Sequence, residues 1–146
     1  MTSGEPSPRV RAATINDIEE VFELARLMAI TFEPDRGAFQ ATYETVLDAS
    51  DAHLLVVDVS GRVGGYLLGF EHPAFFANGQ VAWVEEVAVR TELRRHRLGA
   101  LLMATYEDGV RSRGGRLVAL ATTRAGAFYE ALGYDNHAAY YRKLFV

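Results

Sequence analysis

The sequence predicts a single α+β domain. Its 146 residues suit one domain with a hydrophobic core, and its 49% apolar and 23% charged residues are ordinary for a globular protein. Strand-like apolar runs occupy the middle of the chain, with helix-like periodicity before them and alternating helix and strand patterns after them. Residues 1–8 are small, polar and proline-containing, so we expect a flexible tail there and one domain over residues 9–146.

Two helices are expected in the first third of the chain, after a short strand in "VRAAT". Thr14 and Asp17 resemble a capping box. The residues that follow place six apolar side chains near one helical face: Ile18, Val21, Phe22, Ala25, Leu27 and Met28. "EPDRG" breaks the chain, and "AFQATYETVLDAS" predicts the second helix.

A meander of strands is expected next. "AHLLVVDV" and "VGGYLLGFE" flank the tight turn "SGR" and predict a hairpin. "HPAFFANG" is a loop that either forms an aromatic wall over a site or buries its phenylalanines. "QVAWVEEVAV" predicts a third long strand. After it come a helix of about 15 residues from Leu98, a strand in "RLVALAT", a helix in "TRAGAFYEALG" and a last strand in "YYRKLFV".

Charge and composition exclude several classes of function. The net charge is −4, whereas nucleic-acid-binding domains usually carry a basic surplus. The chain has no cysteine, which excludes disulfides, thiolate metal sites and a cysteine nucleophile. Its four histidines are scattered without HxH or HExxH spacing, so no metal site is expected. Because the chain as a whole is acidic, any anion site must be a local cluster of positive charge.

No membrane or export segment is evident. The start, "MTSGEPSPRV", has no apolar h-region. No stretch of about 18 uncharged apolar residues occurs in the chain. We expect a cytoplasmic protein without membrane contact.

A cluster of basic residues marks the strongest candidate site. In "VRTELRRHRLGALLM", four consecutive positions carry Arg94, Arg95, His96 and Arg97, between an expected strand and an expected helix. The first N–H groups of a helix lack internal partners and favour phosphate, and a small residue such as Gly99 lets a pyrophosphate approach the backbone. The alternative is a solvated arginine loop. No GxxxxGK motif is present, and no GxGxxG follows a strand.

Two segments resemble the signatures of the GNAT superfamily of N-acetyltransferases. "VEEVAVRTELRRHRLGALLM" resembles a central strand followed by (Q/R)-x-x-G-x-(G/A), which binds the pyrophosphate of acetyl-coenzyme A in that family, and the match runs from Arg94 through Leu98 to Gly99. "AFYEALGY" resembles the second signature, FYxxxGF. The order of elements agrees over roughly residues 9–146. The resemblance implies a GNAT-like domain with a mixed central sheet of about six to seven strands flanked by about four helices.

The resemblance also implies acetyl-coenzyme A as the acyl donor. Strand N–H groups near Val87 would polarise the thioester carbonyl, and those around Val89 would bind the pantetheine arm as an added strand. Arg97 stands where the motif has its first glycine, and Thr122 stands where the family often has asparagine. The implied binding residues are Val87, Ala88, Val89, Arg94, Arg95, His96, Arg97, Leu98, Gly99, Ala100 and Thr122.

Two adjacent glutamates are candidates for the catalytic base. An amine must lose a proton to attack a thioester, and without a cysteine we expect direct attack in a ternary complex. Glu85 and Glu86 interrupt an apolar strand, and strand neighbours point to opposite faces. Strict alternation groups Glu85 with Trp83, Val87 and Val89, and Glu86 with Val84 and Ala88. A carboxylate partly desolvated by such neighbours is a better base.

The alternative for either glutamate is a solvated strand-end residue or an ion pair with a loop arginine. The resemblance favours Glu85, because polyamine-type members of the superfamily carry the proposed base at the matching position. Tyr129 matches the family's usual acid, and a phenol with an ordinary pKa near 10 keeps a proton to give to a departing thiolate. Its alternative is a core aromatic, like Phe128 beside it.

The acceptor is expected to be a small cationic molecule with a primary amine. In the superfamily, the segment around the first two helices shapes the acceptor pocket, and here it is acidic; a solvated helix face explains the same charges, which belong to Glu33, Asp35, Glu44 and Asp48. We therefore expect a GNAT-type N-acetyltransferase, with a homodimer as an open option. The alternatives are a catalytically degenerate acyl-coenzyme A-binding domain and a nucleic-acid module that uses the arginine loop.

Overall fold

The computed structural model describes residues 7–146, so most of the tail expected over residues 1–8 lies outside the described part. The described residues form five strands and four α-helices. In chain order these are β1 (Arg9–Ala12), α1 (Ile18–Met28), α2 (Arg36–Asp48), β2 (Ala52–Val59), β3 (Arg62–Ala74), β4 (Gly79–Val89), α3 (Leu98–Ser112), β5 (Val118–Leu120) and α4 (Gly126–Ala131). The α+β fold is confirmed, with five strands rather than six to seven. No described helix is long and apolar enough to cross a membrane.

One mixed sheet, in the order β1-β2-β3-β4-β5, forms the centre of the fold. Neighbouring strands from β1 to β4 run antiparallel, and β4 and β5 run parallel. The parallel pair is short, because β5 meets β4 only from Ala82 to Val84. Beyond Val84 the edge of β4 that faces β5 has no strand partner among residues 7–146, and the sheet opens at that point.

β4 carries a bulge at the position where the sheet opens. Leu68 of β3 pairs with Glu86, and the next residue, Gly69, pairs with Val84. Glu85 is therefore the extra residue of β4, without a partner on β3. A bulge of this kind breaks the regular alternation of side chains along a strand and re-aims the side chain at the bulge.

The grouping expected from strict alternation is wrong as a result. Val84 and Val87 pack on the same side of the sheet, together with α3. Ala88 lies in the core on the opposite side, against α1 and α2. Glu86 keeps its expected place on the side of Ala88, but it is separated from Val84. The physical cause is the extra residue, which shifts the alternation by one position.

Two hydrophobic cores lie on the two sides of the sheet. The core under α1 and α2 centres on Leu24, Tyr43, Val56 and Tyr66. The core under α3 contains Leu67 and Val84 from the sheet and Leu102, Met103, Tyr106 and Val110 from the helix. Burying an aliphatic side chain fully, as these packings do, stabilises a fold by about 1.5–3 kcal/mol per residue. These cores fix the sheet between the helices and hold the opening between β4 and β5 in place.

The expected capping box precedes α1. The Thr14 hydroxyl accepts a hydrogen bond from the N–H of Asn16 (3.3 Å), and the Asp17 carboxylate accepts one from the N–H of Thr14 (2.8 Å). Arg11 of β1 donates to both oxygens of Asp17, at 2.8 and 2.9 Å. Asp17 therefore joins the first strand to the first helix.

The strand expected at residues 140–146 is not formed. From residue 135 onward the backbone makes no backbone–backbone hydrogen bond, and a strand exists only where a neighbouring strand supplies partners. The side chains of this C-terminal segment (residues 135–146) make an aromatic contact and a hydrogen bond with the rest of the domain. The ring of Tyr140 stacks on Trp83 with centroids 6.4 Å apart, and Arg142 donates to the hydroxyl of Thr31 at 3.1 Å. The outer edge of β5 is free in the sheet order, but residues 140–146 do not pair with it, so an alternating apolar pattern alone does not determine pairing.

Candidate active site

The loop between β4 and α3 passes twice through the left-handed backbone region. Arg95 has a φ of 76° and Arg97 a φ of 61°, values that residues with a Cβ rarely adopt. Within residues 7–146, the N–H groups of Arg95 and of the four residues from Arg97 to Ala100 have no hydrogen-bond partner. Free N–H groups in succession, at the positive end of a helix dipole, form a site for an anion.

The side chains of this loop add positive charge to those N–H groups. Arg94, Arg95, His96 and Arg97 are all exposed. Among the described residues, none of these four side chains forms an ion pair, so their charge is uncompensated locally. The next residue, Leu98, is buried in the core under α3 and anchors the helix at its first turn. The predicted strand, basic loop and helix are therefore all present.

Gly99 packs closely against a neighbouring residue and also lies at the anion site. A Cβ atom at this position would lie 3.3 Å from Cζ of Phe128, which is tighter than ordinary packing. The N-terminus of α3 therefore lies against α4. The small residue at Gly99 allows both this helix contact and a close approach to the free N–H groups.

A cavity of about 310 Å³ lies where β4 and β5 separate. This volume is at the lower end of the range for small-molecule sites. Its lining comes from the end of α1 and the loop after it, the bulge of β4, the end of β5 with the chain that follows, and α4. The residues are Met28, Ile30, Val84, Glu85, Glu86, Val87, Leu120, Ala121, Thr122, Thr123, Arg124, Ala125 and Tyr129. The basic loop follows the same strand, so the anion site and the cavity are connected by the open edge of β4.

Both glutamates of β4 line the cavity, and different donors hold them. The exposed Glu85 accepts a hydrogen bond of 2.8 Å from Nε1 of Trp83. The half-buried Glu86 accepts one of 2.6 Å from the hydroxyl of Tyr66. Burial raises the pKa of Tyr66, and the charge of Glu86 and the hydrogen bond to it raise it further, so Tyr66 stays a donor. The cavity thus contains two carboxylates with separate supports.

Tyr129 lines the same cavity from α4. Its ring is half-buried and makes edge contacts with Phe128 and Tyr134, with centroids 4.9 and 5.9 Å apart. Burial raises the pKa of Tyr129, which keeps the phenol protonated at neutral pH. The structure therefore brings the two carboxylates and the phenol of Tyr129 to one cavity. The partial burial expected for Glu85 is not observed, because the bulge leaves its side chain exposed.

A second depression, of about 270 Å³, lies beside β1 at the opposite edge of the sheet. Arg9, Arg11 and Asp58 are among the residues that line it. Arg11 forms ion pairs with Asp17 and Asp58, so its charge is already compensated. We place the candidate active site at β4, where the anion site and the reactive groups meet.

The sequence matches the family described as the Acetyltransferase (GNAT) family over residues 18–134. The chain belongs to the GNAT acetyltransferase family. A comparison with curated proteins gave no match.

Solved structures share the GNAT fold over nearly the whole chain. A transcriptional regulator from Bacillus halodurans C-125 has a TM-score of 0.85 and 21% identity, and covers 95% of this chain and 100% of its own. A glucosamine-6-phosphate N-acetyltransferase from Arabidopsis thaliana has a TM-score of 0.84 and 22% identity, covering 96% and 99%. An acetyltransferase from Trypanosoma brucei has a TM-score of 0.82 and 24% identity, covering 95% and 100%.

The backbone explains why the GNAT motif has glycine where this chain has Arg97. Its φ of 61° is a conformation that glycine adopts without steric cost. The arginine keeps the same backbone, and its side chain is exposed. At the second departure, Thr122 lines the cavity, and its hydroxyl accepts a hydrogen bond of 3.0 Å from the N–H of Ala125. That hydroxyl supports the turn into α4.

Val87, Ala88 and Val89 are the residues that were expected to bind a ligand through their backbone, and they lie in the part of β4 that has the open edge. Val87 lines the cavity, and Val89 packs towards α3. The side chain of Ala88 is buried on the opposite side of the sheet, and its backbone pairs with Tyr66 of β3, so Val87 and Val89 are the residues whose backbone faces the open edge. β5 pairs no further than Val84, so in the described part of the chain the facing edge from Glu85 to Val89 has no strand partner.

Arg90 is a residue of this site that sequence reasoning missed. It is buried at the end of β4, and its guanidinium donates to the carbonyl of Val63 (2.6 Å), to Glu20 (3.0 Å) and to Glu23 (3.4 Å). These bonds tie the start of the basic loop to β3 and α1. The sequence feature that could have identified Arg90 is its position directly after an apolar strand, separate from the exposed basic cluster at residues 94–97.

The expected acidic wall is not part of the cavity. Glu33, Asp35, Glu44 and Asp48 are absent from its lining, and Met28 and Ile30 are the residues that α1 and the following loop supply. Asp35 instead caps α2 by accepting from the N–H of Ala38 (2.8 Å). The phenylalanines of "HPAFFANG" neither line the cavity nor are buried, because both are exposed at the tip of the β3–β4 hairpin.

Proposed function

We propose that this protein is an N-acetyltransferase that moves the acetyl group of acetyl-coenzyme A to a primary amine of a small cationic molecule, by direct attack in a ternary complex. One observation carries the proposal. The open edge of β4 joins the free N–H groups at the start of α3 to a cavity that contains a carboxylate and a phenol. The pyrophosphate, the amide-containing arm and the thioester of acetyl-coenzyme A follow one another in that same order.

The donor groups of the basic loop fit a pyrophosphate. The N–H groups from Arg97 to Ala100, with the side chains of Arg94, Arg95 and His96, would bind its oxygens. The unpaired edge at Val87–Val89 would form backbone hydrogen bonds with the pantetheine arm, as an added strand does. Thr122 would contact the arm from the opposite wall of the cavity.

The reaction then needs two protons removed from the acceptor nitrogen and one supplied to the sulfur. Glu85 accepts the first proton from the ammonium group, and the freed amine forms the new N–C bond as the C–S bond breaks. The nitrogen loses its second proton as the amide forms, and that proton replaces the one that Tyr129 gives up. An N–H group near Val87 donates to the carbonyl oxygen while it carries negative charge. Tyr129 donates its proton to the departing sulfur. The exposed carboxylate of Glu85 and the half-buried phenol of Tyr129 support this division of roles.

The lining of the cavity suits an acceptor that is both cationic and partly apolar. Glu85 and Glu86 provide two carboxylates, and Met28 and Ile30 provide an apolar wall. An aliphatic diamine or polyamine has both properties. A cytoplasmic location and a homodimer stay predictions from the sequence and the family.

Thiol release in the presence of an amine panel tests this function. The panel contains putrescine, spermidine, glucosamine 6-phosphate and a lysine-containing peptide, each at equal concentration with acetyl-coenzyme A. We expect at least one amine to accelerate thiol release above the rate with acetyl-coenzyme A alone, and the diamine or polyamine to be the best. A rate that no panel amine changes would contradict the proposal.

The alternative function is an acyl-coenzyme A-binding domain without catalysis. The observation in its favour is Arg97, which replaces the motif glycine at the anion site. This alternative predicts stabilisation by acetyl-coenzyme A in a thermal-shift measurement together with no amine-dependent thiol release. A nucleic-acid-binding role is disfavoured by the net charge of −4.

A further inference from the structure

Trp83 is the only tryptophan of the chain, and it connects the C-terminal segment to Glu85. Its indole N–H donates a hydrogen bond of 2.8 Å to Glu85, and its ring stacks on Tyr140 with an interplanar angle of 22°. We propose that Trp83 is a positioning residue that orients the carboxylate of Glu85, and that Tyr140 holds Trp83 in place. This inference rests on the proposed role of Glu85 as the base.

Glu85 needs such support because of its place in the fold. It is the extra residue of the β4 bulge and is exposed, so neither strand pairing nor core packing fixes its side chain. Among the described residues, the indole N–H of Trp83 is its sole hydrogen-bond donor. A base transfers protons efficiently only when its carboxylate is held within reach of the reacting group. The hydrogen bond restricts an otherwise free side chain to one orientation.

The neighbouring glutamate has a different support, which makes the assignment specific. Glu86 accepts from Tyr66, a residue buried in the core under α1 and α2. Trp83 therefore acts on Glu85 alone, although the two glutamates are adjacent. A change at Trp83 and a change at Tyr66 can be compared as matched perturbations of the two carboxylates.

Single substitutions can test the contacts of the C-terminal segment one at a time. Within residues 7–146 it forms no backbone–backbone hydrogen bonds, and its contacts include the Tyr140–Trp83 stack and the Arg142–Thr31 hydrogen bond. Tyr140 is 64% exposed, so replacing it leaves both hydrophobic cores intact. We infer that the segment sets the position of the base through one aromatic contact.

The indole N–H resonance of Trp83 tests the geometry without any substrate. In the ¹⁵N-labelled full chain, one such resonance is expected, because there is one tryptophan. Glu85→Gln replaces a charged acceptor with a weaker neutral one and should move the resonance upfield. The matched Glu86→Gln change should leave it in place. Equal effects of the two changes, or no effect of Glu85→Gln, would overturn the inference.

The same resonance tests the contribution of Tyr140. Tyr140→Ala removes the stacked ring, so the indole signal should shift and broaden, and acrylamide should quench Trp83 fluorescence more strongly. Tyr140→Phe keeps the ring and serves as the control that should behave like the unchanged protein. A Tyr140→Ala protein with unchanged signal and quenching would show that the C-terminal segment does not hold Trp83.

Turnover tests the positioning role. With the panel amine that gives the fastest thiol release, Trp83→Phe keeps an aromatic ring but lacks the N–H, and should lower kcat about tenfold with little change in KM for acetyl-coenzyme A. In a Glu85→Gln background the same change should cost nothing further, because there is no base left to orient. Losses that multiply across the double variant would mean a general structural role and would overturn the inference.

These measurements separate this inference from the proposed function. If no panel amine is turned over, the proposed function fails, and the indole resonance still decides whether Trp83 and Tyr140 orient Glu85. If amines are turned over but Glu85→Gln is fully active, the base assignment fails, and the positioning role fails with it. If Glu85→Gln is slow and Trp83→Phe is fast, the positioning role alone fails.

Discussion

The buried hydroxyl of Tyr66 donates a hydrogen bond of 2.6 Å to the carboxylate of Glu86. Because burial raises the pKa of Tyr66, this donor keeps its proton over the physiological range and holds Glu86 towards the core under α1 and α2. Glu85, one residue earlier, lies at a bulge and is exposed. The two adjacent carboxylates therefore have different freedom to accept a proton from an incoming amine.

Glu85→Gln should slow turnover by about 10²–10⁴-fold near neutral pH, because the change removes the proposed base. The loss should shrink as the pH rises, since more of the amine then arrives already deprotonated. The kcat of the unchanged and variant proteins, measured across the pH range with the best panel amine, checks this. Glu86→Gln is the control and should cost little in kcat, because any effect of losing this cavity carboxylate should fall on the KM for the amine. A larger loss for Glu86→Gln, or a loss for Glu85→Gln that stays constant with pH, would reverse the assignment.

Tyr129→Phe should leave the affinity for acetyl-coenzyme A nearly unchanged and lower kcat by about 10²-fold, because it removes only the hydroxyl that protonates the sulfur. Steady-state kinetics with the best panel amine give both quantities. Tyr134→Phe is a matched control from the same aromatic cluster, since its hydroxyl donates to Glu107 at 2.6 Å, away from the cavity lining. Equal loss of kcat in both variants would assign the effect of Tyr129 to packing.

Gly99→Glu should abolish the stabilisation that acetyl-coenzyme A gives to the fold. At 100 times its dissociation constant a ligand adds roughly 2.7 kcal/mol, which a thermal-shift measurement detects. The glutamate brings negative charge to the N-terminus of α3 and bulk against Phe128. Gly99→Gln is the control with the same bulk and no charge, and it should bind weakly but measurably. Normal binding by Gly99→Glu would place the phosphate site elsewhere.

Arg97→Gly should raise the free energy of unfolding by about 0.5–1 kcal/mol. Glycine adopts the left-handed backbone without steric cost, and this gain exceeds the extra conformational entropy that glycine loses on folding. The affinity for acetyl-coenzyme A should be kept or increased, since the change restores the residue of the GNAT motif. Urea unfolding and calorimetric titration measure the two effects. Arg97→Ala removes the same charge without relieving the backbone, so it should show no gain in stability. A less stable Arg97→Gly protein would contradict this account.

The protein should lose stability in acid through Asp17. Hydrogen bonds from Arg11 lower the pKa of Asp17 below its ordinary value of 3.8. Burial of Asp17 acts in the opposite direction, and the hydrogen bond from the N–H of Thr14 lowers the pKa further. A carboxylate with a lowered folded pKa contributes stability above the unfolded value and loses it as the pH falls through the folded value. Urea midpoints measured from pH 6 downward should therefore fall less steeply for Asp17→Asn than for the unchanged protein. Asp58→Asn, 3.5 Å from Arg11, is the control and should follow the unchanged protein.

The elements that the sequence predicted well depend on neighbours in the chain. The capping box needs only Thr14 and Asp17, three positions apart, and the hairpin turn needs only Ser60 and Gly61, which both have positive φ. The basic loop was found for the same reason, because its charge and the glycine after it lie within six residues. Local hydrogen bonding and local backbone preference decide such features, and a single sequence contains both.

The features that the sequence did not predict depend on partners far along the chain. The bulge at Glu85 follows from the register between β3 and β4, and the same apolar strand pattern fits several registers. Arg90 binds Glu20 and Glu23, which lie 70 and 67 positions away. Residues 140–146 have the pattern of a strand, but they make no backbone hydrogen bonds with the free outer edge of β5. Each of these outcomes is decided by tertiary contact.

Phe128 connects Gly99 to Tyr129. The ring of Phe128 lies against Gly99 at the start of α3, and Tyr129 is the next residue of the short helix α4. An anion that binds at the start of α3 would therefore lie one packing contact away from the helix that carries the proposed proton donor. The far end of the acyl donor would thus help to align the group that reacts with its sulfur. A truncated donor such as acetyl-pantetheine is expected to lose catalytic rate in addition to affinity, because nothing then occupies the position that aligns α4.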